Sequence, residues 1–353
     1  MRICGDYKVT LNPVLLIDQY PLPRIEDLFS QLQGGQQFTK LDLSQAYQQI
    51  LLDENSSKYT TISTHKGLFA YKRLPYGLSC APAKYQKIIE KVLQGIEGVI
   101  CFLDDILITG TNSSQHLARV EQVLNKLQQF GLTIAKEKCE FFKDSVVYLG
   151  HKIDKNGLHT CKDKVEAIKL IPYPTNITQL QSFLGLVNYY NKFVPNSSTL
   201  LEPLYRLLKK GVTWNWDNNC KRSFNQIKEI LASDIVLAHF DPDLPIKLTV
   251  DASSYGVGCV LSHMYPNGDE RPIAYASSTL SKAQKGYSQI EKEGLAIIFG
   301  IKRFHQYLYS KKFTLVTDCK VLLTIFGKNK GIPQMTANRL QRWALILSSY
   351  NYD

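Results

Sequence analysis

The segment "VICFLDDILITG", residues 99–110, restricts the fold more than any other. Two adjacent carboxylates, Asp104 and Asp105, sit between apolar runs that read as the arms of a buried β-hairpin. Adjacent like charges repel, and a purely structural turn is served as well by Asn-Gly. The charge itself is therefore wanted there, and its common use is to hold a divalent cation. Oxygen-only donors suit magnesium or manganese better than zinc. For the pair taken alone, an Asp-rich turn facing solvent is the competing explanation.

A third carboxylate, Asp42, closes the alternating run "FTKLD" well upstream. In isolation it reads as a helix N-cap. In a sheet that pairs its strand with the hairpin it joins the doublet, and three such acids are the constellation for two-metal phosphoryl transfer. One ion would lower the pKa of an attacking hydroxyl while the other holds a triphosphate and stabilises the leaving group.

Around these acids the first half alternates strands and helices. "QQFTKLDL" and "YTTIST" read as strands, "SQAYQQI" as helical, and "APAKYQKIIEKVLQGI" as a helix with Pro82 in its first turn. "SSQHLARVEQVLNKLQQFG" reads as a helix opened by a Ser cap and closed by Gly131. From 160 to about 235 the text is helical and Lys-rich, broken at "IPYPTN". A second module begins near 240. "IKLTVD", "GVGCVLSH" and "RPIAYAS" are strands, "YSQIEKEGLAIIFGIKRFHQYL" is a helix and "KFTLVTD" a fourth strand, which describes a mixed α/β sheet.

With 44% hydrophobic and 11% aromatic residues over 353 positions, the chain can build packed cores, which excludes intrinsic disorder. No apolar run approaches the roughly 20 residues of a membrane span, and the start lacks a signal-peptide core. The expectation is a soluble, intracellular protein with no membrane partner. Eight cysteines without a C-x-x-C pair read as reduced, mostly buried thiols rather than a zinc site. A net charge of +11 is compatible with a polyanionic partner and equally with a merely basic protein.

In order and spacing, "KLDLSQAYQQI", "RLPYGLSCAPAKYQ", "FLDDILITG", "EKCEFF" and "YLGHKI" resemble reverse transcriptases of Ty3/gypsy-class long-terminal-repeat retroelements, over nearly the whole chain. The resemblance implies an α+β fold, a right-hand polymerase of fingers, palm and thumb followed by a ribonuclease H-like mixed sheet. On that reading residues 1–155 are fingers and palm, 156–238 a mainly helical thumb/connection, and 239–353 the ribonuclease H-like domain. Asp42, Asp104 and Asp105 match the metal-binding palm triad. Phe102 and Leu103 match positions beside the primer end. Tyr47 matches an aromatic gate whose ring would clash with a 2′-hydroxyl, the group that distinguishes RNA from DNA. Tyr76 occupies a position that is Gln in retroviral enzymes and usually aromatic in retroelements. Arg2 and Lys8 match fingers residues that contact the triphosphate, and Lys138 a possible acid for pyrophosphate.

In the second module, Asp251 and Asp318 end strands, and the intervening helix carries Glu291 and Glu293. "SQIE" is a capping box, Ser288 with Glu291, so Glu291 already has a structural task. Glu293 lies near the stripe Ile290, Gly294, Ile297 and Ile301 that faces the sheet; a charge there needs a partner, and a metal shared with Asp251 and Asp318 would supply it. "LTVDASSYGVGCVLS", "YSQIEKEGLAII" and "TLVTDCK" resemble the first three ribonuclease H motifs of retroelements.

What the resemblance implies is an RNA-directed DNA polymerase with a linked RNA/DNA-hybrid nuclease, with two Mg2+ (or Mn2+) per active site. RNA template, DNA primer, RNA/DNA hybrid and deoxynucleoside triphosphates are the expected partners, and a homodimer is an arrangement open to it. The cytoplasm or a virus-like particle is the expected location. Further fingers strands precede "RICGDY" in the family, and a strand, a loop and a helix with a fourth carboxylate follow "SSYNYD"; Asp353 does not match that acid. Both ends are therefore expected to be clipped, with no protease or integrase signature. The competing function is a catalytically silent nucleic-acid-binding relic. A stand-alone nuclease leaves the palm triad unexplained.

Overall fold

The computed structural model describes residues 4–16, 20–233, 235–327 and 338–353. Arg2 lies outside them. Two compact units divide the chain at 155/156.

The first unit is built on four antiparallel strands. In chain order its strands are β1 (Gln37–Asp42), β2 (Ile62–Thr64), β3 (Gly67–Phe69), β4 (Val99–Phe102), β5 (Asp105–Gly110), β6 (Glu140–Lys143), β7 (Ser145–Tyr148) and β8 (His151–Asp154). The main sheet runs β4-β5-β1-β6, while β2–β3 and β7–β8 are hairpins. The region around "YTTIST" is more helical than its β-rich composition suggests. Tyr59 ends the helix Glu54–Tyr59, opened by an Asp53 cap, and only Ile62–Thr64 is extended. "SQAYQQI" forms a short 3-10 turn, Ala46–Gln49, entered through a left-handed Gln45.

Helices Ala81–Leu93 and Ser113–Gln129 cover one face of the main sheet. Alternation dictates which face. Leu41 and Leu43 with Ile106 and Ile108 join Tyr85, Ile89, Val120 and Val123 in one core cluster. The cap of the second helix is Asn112, whose side chain accepts from the Gln115 amide, rather than a serine. Asn at that place satisfies the same orphan donor.

In the second unit β9 (Gly157–Thr160) and β10 (Val236–Leu237) pair antiparallel, and between them run the helices Lys162–Leu170, Ile177–Tyr189 and Asn218–Ala232. A five-stranded sheet follows: β11 (Ile246–Ala252), β12 (Gly256–Met264), β13 (Glu270–Thr279), β14 (Lys312–Val316) and β15 (Asn351–Tyr352). Its order is β13-β12-β11-β14-β15, antiparallel among the first three and parallel at β11/β14 and β14/β15. The helix Gln289–Arg303 lies on Leu248, Val250 and Cys259 at Gly300, where an added Cβ would stand 3.3 Å from each. That helix stops at Phe304 and a separate turn, His305–Leu308, follows, so the long "YSQIEKEGLAIIFGIKRFHQYL" helix is two pieces. "SSYNYD" already contains the fifth strand: the Asp353 amide donates to the Phe313 carbonyl at 3.1 Å and its carbonyl accepts from Leu315 at 3.0 Å. Two residues in parallel pairing are too short to show as a periodic signal.

Among the described residues no helix is long and apolar enough to cross a membrane. All eight cysteines are free; five are buried and Cys4 is exposed.

Candidate active site

Two carboxylate clusters, one in each unit, are the candidate sites. In the first, antiparallel register sets Asp42 directly opposite Asp105. Paired residues of an antiparallel ladder share a face, and Leu41 and Ile106 occupy the helix-covered one. Asp42 and Asp105 are thereby turned together onto the other face, with Lys40, two residues before Asp42, beside them. The turn joining β4 to β5 consists of Leu103 and Asp104. Leu103 takes a left-handed φ of +55°, a conformation that costs free energy for a non-glycine and persists only where its surroundings impose it.

Gln86 is one such constraint. Fully buried, it accepts from the Leu103 amide at 2.7 Å and donates to the Cys101 carbonyl at 3.0 Å and to Glu90 Oε1 at 2.7 Å. From β7, outside the main sheet, the buried Tyr148 hydroxyl donates to the Asp105 carbonyl at 3.2 Å. The Leu43 amide donates to the Asp104 carbonyl at 2.9 Å. The turn is thus held from three sides, by the Gln86 helix, by Tyr148 and by Leu43.

Charge in this cluster is balanced internally. Lys40 Nζ lies 3.8 Å from Asp105 Oδ1, and Lys138 Nζ 3.4 Å from Asp42 Oδ1. Burial raises the Asp105 carboxyl above its ordinary value, Lys40 pulls it back, and Asp104 and Asp42 push it up again. Asp104 is exposed. The oxygens of this triad are not drawn together as tightly as those of the second cluster, which is the one group among the described residues with all its ligand atoms within 4.8 Å of one another.

Tyr47 packs against Tyr85 at 5.2 Å, edge to face, and against Tyr76 at 5.3 Å. Burial, then the nearby Asp104 charge, raises its hydroxyl above the ordinary value. Phe102 is half-buried at the start of the turn, and Lys8 is exposed, apart from the acids in the chain. An apolar cavity of about 510 Å3 lined by Leu11, Leu15, Ile50, Leu74 and Leu78 shares residues with the cluster on which Tyr47 rests, and none of the palm acids lines it.

The second cluster is Asp251, Glu293 and Asp318. Parallel register pairs Thr249 with Val316, and two residues beyond on each strand stand Asp251 and Asp318. Glu293 comes from the covering helix and is only 3% exposed. Its Oε1 accepts from Gln289 Nε2 at 2.6 Å, while its Oε2 is buried without a partner. Desolvation pushes its pKa up to about 7, opposed by the Gln289 hydrogen bond and reinforced by Asp318 and Asp251. Glu291 performs the capping task expected of it, bonded to Ser288 and ion-paired with Arg339. Ile290, placed on the buried stripe by spacing, is instead 36% exposed; at the helix's first turn the sheet no longer covers that position.

A divalent cation fits the second cluster. The orphaned, buried Glu293 Oε2 inside a three-carboxylate group calls for either a proton or a cation. In the first, three oxygen-only side chains share one field, and two ammonium groups stand where positive charge is needed.

The sequence reading missed Gln86, Tyr148, Lys40 and Gln289. Signals existed for three. Gln86 is a polar residue on the stripe with Ile89 and Leu93, Lys40 shares the β1 face of Asp42, and Gln289 lies one helical turn before Glu293.

Comparison with known proteins adds the lineage. Residues 4–153 match the family described as reverse transcriptase (RNA-dependent DNA polymerase), and 216–315 the RNase H-like domain found in reverse transcriptase. The Tf2-3 and Tf2-7 transposon polyproteins of Schizosaccharomyces pombe are each 38% identical over the whole chain. The chain spans 26% of the length of those polyproteins. Among solved structures, a foamy viral protease-reverse transcriptase in complex with double-stranded DNA superposes with a TM-score of 0.87 at 22% identity, over 100% of this chain and 62% of that one. A second, in complex with an RNA/DNA hybrid, superposes at 0.80 and 22% identity, over 99% and 48%.

Proposed function

Because the chain belongs to the reverse transcriptases of Ty3/gypsy-type retroelements, with a reverse transcriptase domain followed by an RNase H-like domain, we propose that it copies RNA into DNA at the first acid cluster and cuts the RNA strand of an RNA/DNA hybrid at the second. The domains of this proposal are fingers and palm (1–155), a thumb/connection (156–238) and the nuclease (239–353). Its substrates are an RNA template, a DNA primer, deoxynucleoside triphosphates and the hybrid they produce.

Asp42, Asp104 and Asp105 would hold two divalent ions, Mg2+ or Mn2+, as would Asp251, Glu293 and Asp318, and these ions supply activation of the attacking hydroxyl or water and neutralisation of the phosphate charge. The protein's part is positional. Gln86 and the Leu43 amide fix the strained turn, so Asp104 is presented without searching rotamers of the backbone. Lys40 and Lys138 stand beside Asp105 and Asp42 and offset part of the negative charge that gathers there before substrate arrives. Tyr47, pinned between Tyr76 and Tyr85, has little room to move aside, which suits it to exclude a 2′-hydroxyl. Phe102 and Leu103 would border the primer end, and Lys8, with Arg2, would meet the triphosphate. At the nuclease, Gln289 holds Glu293 Oε1 and leaves Oε2 without a protein partner in the cluster with Asp251 and Asp318.

The observation that carries this reading is the register of Asp42 against Asp105 beside the 104–105 doublet. Primer extension on poly(rA)/oligo(dT) with magnesium, run beside hybrid cleavage, tests it. Extension is expected from the full chain and lost in Asp104→Asn; undiminished extension by that variant refutes the assigned site.

A further inference from the structure

Within the second unit, Asn196 and the short helix Ser197–Leu200 touch strands β12 and β13 at very close range. A Cβ at Gly256 would come within 2.3 Å of Ser198 Oγ, and one at Gly258 within 2.2 Å of Asn196 Oδ1. An alanine at either place would displace the Ser198 or Asn196 side chain. Asn196 takes a left-handed φ of +48° to begin the helix. Three hydroxyl contacts fasten the seam. Ser197 Oγ meets Ser277 Oγ at 2.7 Å, the Ser198 amide donates to Ser277 Oγ at 2.8 Å, and Thr199 Oγ1 meets Ser253 Oγ at 2.9 Å.

The last contact leads to the nuclease acids. Ser253 Oγ accepts from the Tyr255 amide at 3.2 Å and the Gly256 amide at 3.0 Å, so this hydroxyl shapes the loop that starts two residues after Asp251. Next to it, the Ala252 carbonyl accepts from Gln289 Nε2 at 3.1 Å, and the same nitrogen donates to Glu293 Oε1 at 2.6 Å. A continuous path therefore runs Thr199, Ser253, Ala252, Gln289, Glu293, and Ala252 is the residue directly after Asp251.

We propose that Thr199 is a positioning residue for the second acid cluster. Acting through Ser253, it fixes the 251–256 loop so that Asp251 and Glu293 offer their oxygens to one cation. This assignment rests on the reading of that cluster as a metal site, and it makes the site dependent on a segment that precedes the matched RNase H-like region, 216–315. Groups that orient metal ligands from behind typically cost 10–100-fold in metal affinity when removed. The Thr199 hydroxyl, one step further back, is expected at the lower end of that range.

The test is Mn2+ titration of the full chain, followed by electron paramagnetic resonance, in an Asp104→Asn background that silences the first cluster. Thr199→Val, nearly isosteric, is expected to bind Mn2+ about tenfold more weakly with an unchanged metal-free melting temperature. Thr199→Ser, which keeps the hydroxyl, restores the parental affinity. Gly256→Ala, which must push Ser198 away, is expected to weaken binding as well. Unchanged Mn2+ affinity in Thr199→Val overturns the assignment, as does an affinity loss matched by a fall in the metal-free melting temperature. Separately, Mn2+ binding that survives Asp318→Asn in the parent removes the metal reading itself and not the clasp alone.

Discussion

The two acid clusters are assembled by the same device, an aspartate at the end of a strand facing a second acid on the strand beside it, yet they manage repulsion differently. In the first, Lys40 and Lys138 stand next to Asp105 and Asp42, and Asp104 remains in solvent. In the second, among the described residues, no ion pair reaches Asp251, Glu293 or Asp318, and the glutamate is buried with one oxygen unsatisfied. A carboxylate flanked by ammonium groups can stay ionised in the folded chain; a buried one without a counter-ion must take up a proton or a metal. The first cluster thus carries its counter-charges within the fold. The second is coupled, through Glu293, to pH and to the cation.

The largest effects should separate the clusters outright. Asp104→Asn is expected to lower primer extension by about 1,000-fold or more, as loss of a ligand that stabilises transition-state charge, while leaving hybrid cleavage intact. Asp318→Asn should do the reverse. Assays of both activities on both variants check this, and cross-inactivation would mean that the clusters do not work independently.

Next in size is the buried clamp that only the first cluster possesses. Gln86→Leu keeps the volume but leaves the Leu103 amide and the Cys101 carbonyl unpaired. At about 2 kcal/mol of lost positioning, primer extension should fall about 30-fold, chiefly in kcat, with hybrid cleavage unaffected. Equal losses in the two activities would point to general unfolding.

Below that lies a difference in pH response. Divalent binding at the second cluster must displace the Glu293 proton, whose pKa is pushed up to about 7. Mn2+ affinity there should drop about tenfold per pH unit below that point, as for any ligand that must be deprotonated. Isothermal titration between pH 6 and 8 in the Asp104→Asn background measures it. A flat profile would place the Glu293 pKa far lower than its burial implies.

How much of this was legible in the residues divides along the same line. Asp42, Asp104 and Asp105 could be read because strand alternation and an apolar-flanked turn are local patterns, and antiparallel register then follows from burying Leu41 and Ile106 on one face. Glu291 and Glu293 could be told apart because a capping box is also local. Periodicity could place Lys40 and Gln86 on their faces, but the contacts of Lys40 with Asp105, Lys138 with Asp42, Gln86 with Leu103 and Thr199 with Ser253 join residues far apart in the chain, which periodicity does not carry. The fold was missed at its short elements for a similar reason. The strand Asn351–Tyr352 exists only through its pairing with Lys312 and Phe313, and the strand expected over "YTTIST" is shortened to Ile62–Thr64 because Tyr59 closes the helix that Asp53 caps.

The last prediction concerns stability, and it too divides the units. Glu293 is held at about 7 in the folded chain against an ordinary 4.5, so between those values the native state keeps a proton that the unfolded chain has released. Its contribution to stability is fully present below pH 4.5 and is lost as pH rises through 7, a change on the order of 3 kcal/mol. For a chain of this size that is a shift of a few degrees in Tm. All three tryptophans, Trp214, Trp216 and Trp343, lie in the second unit, so tryptophan fluorescence follows its melting alone. In chelator, the wild-type transition should fall by those few degrees more than that of Glu293→Gln between pH 5 and pH 8, because glutamine carries no charge to bury. Magnesium at pH 8 should recover the difference in the wild type and not in the variant. Parallel pH profiles for the two chains would mean that Glu293 is already ionised without a cation, and the contrast between the clusters would collapse.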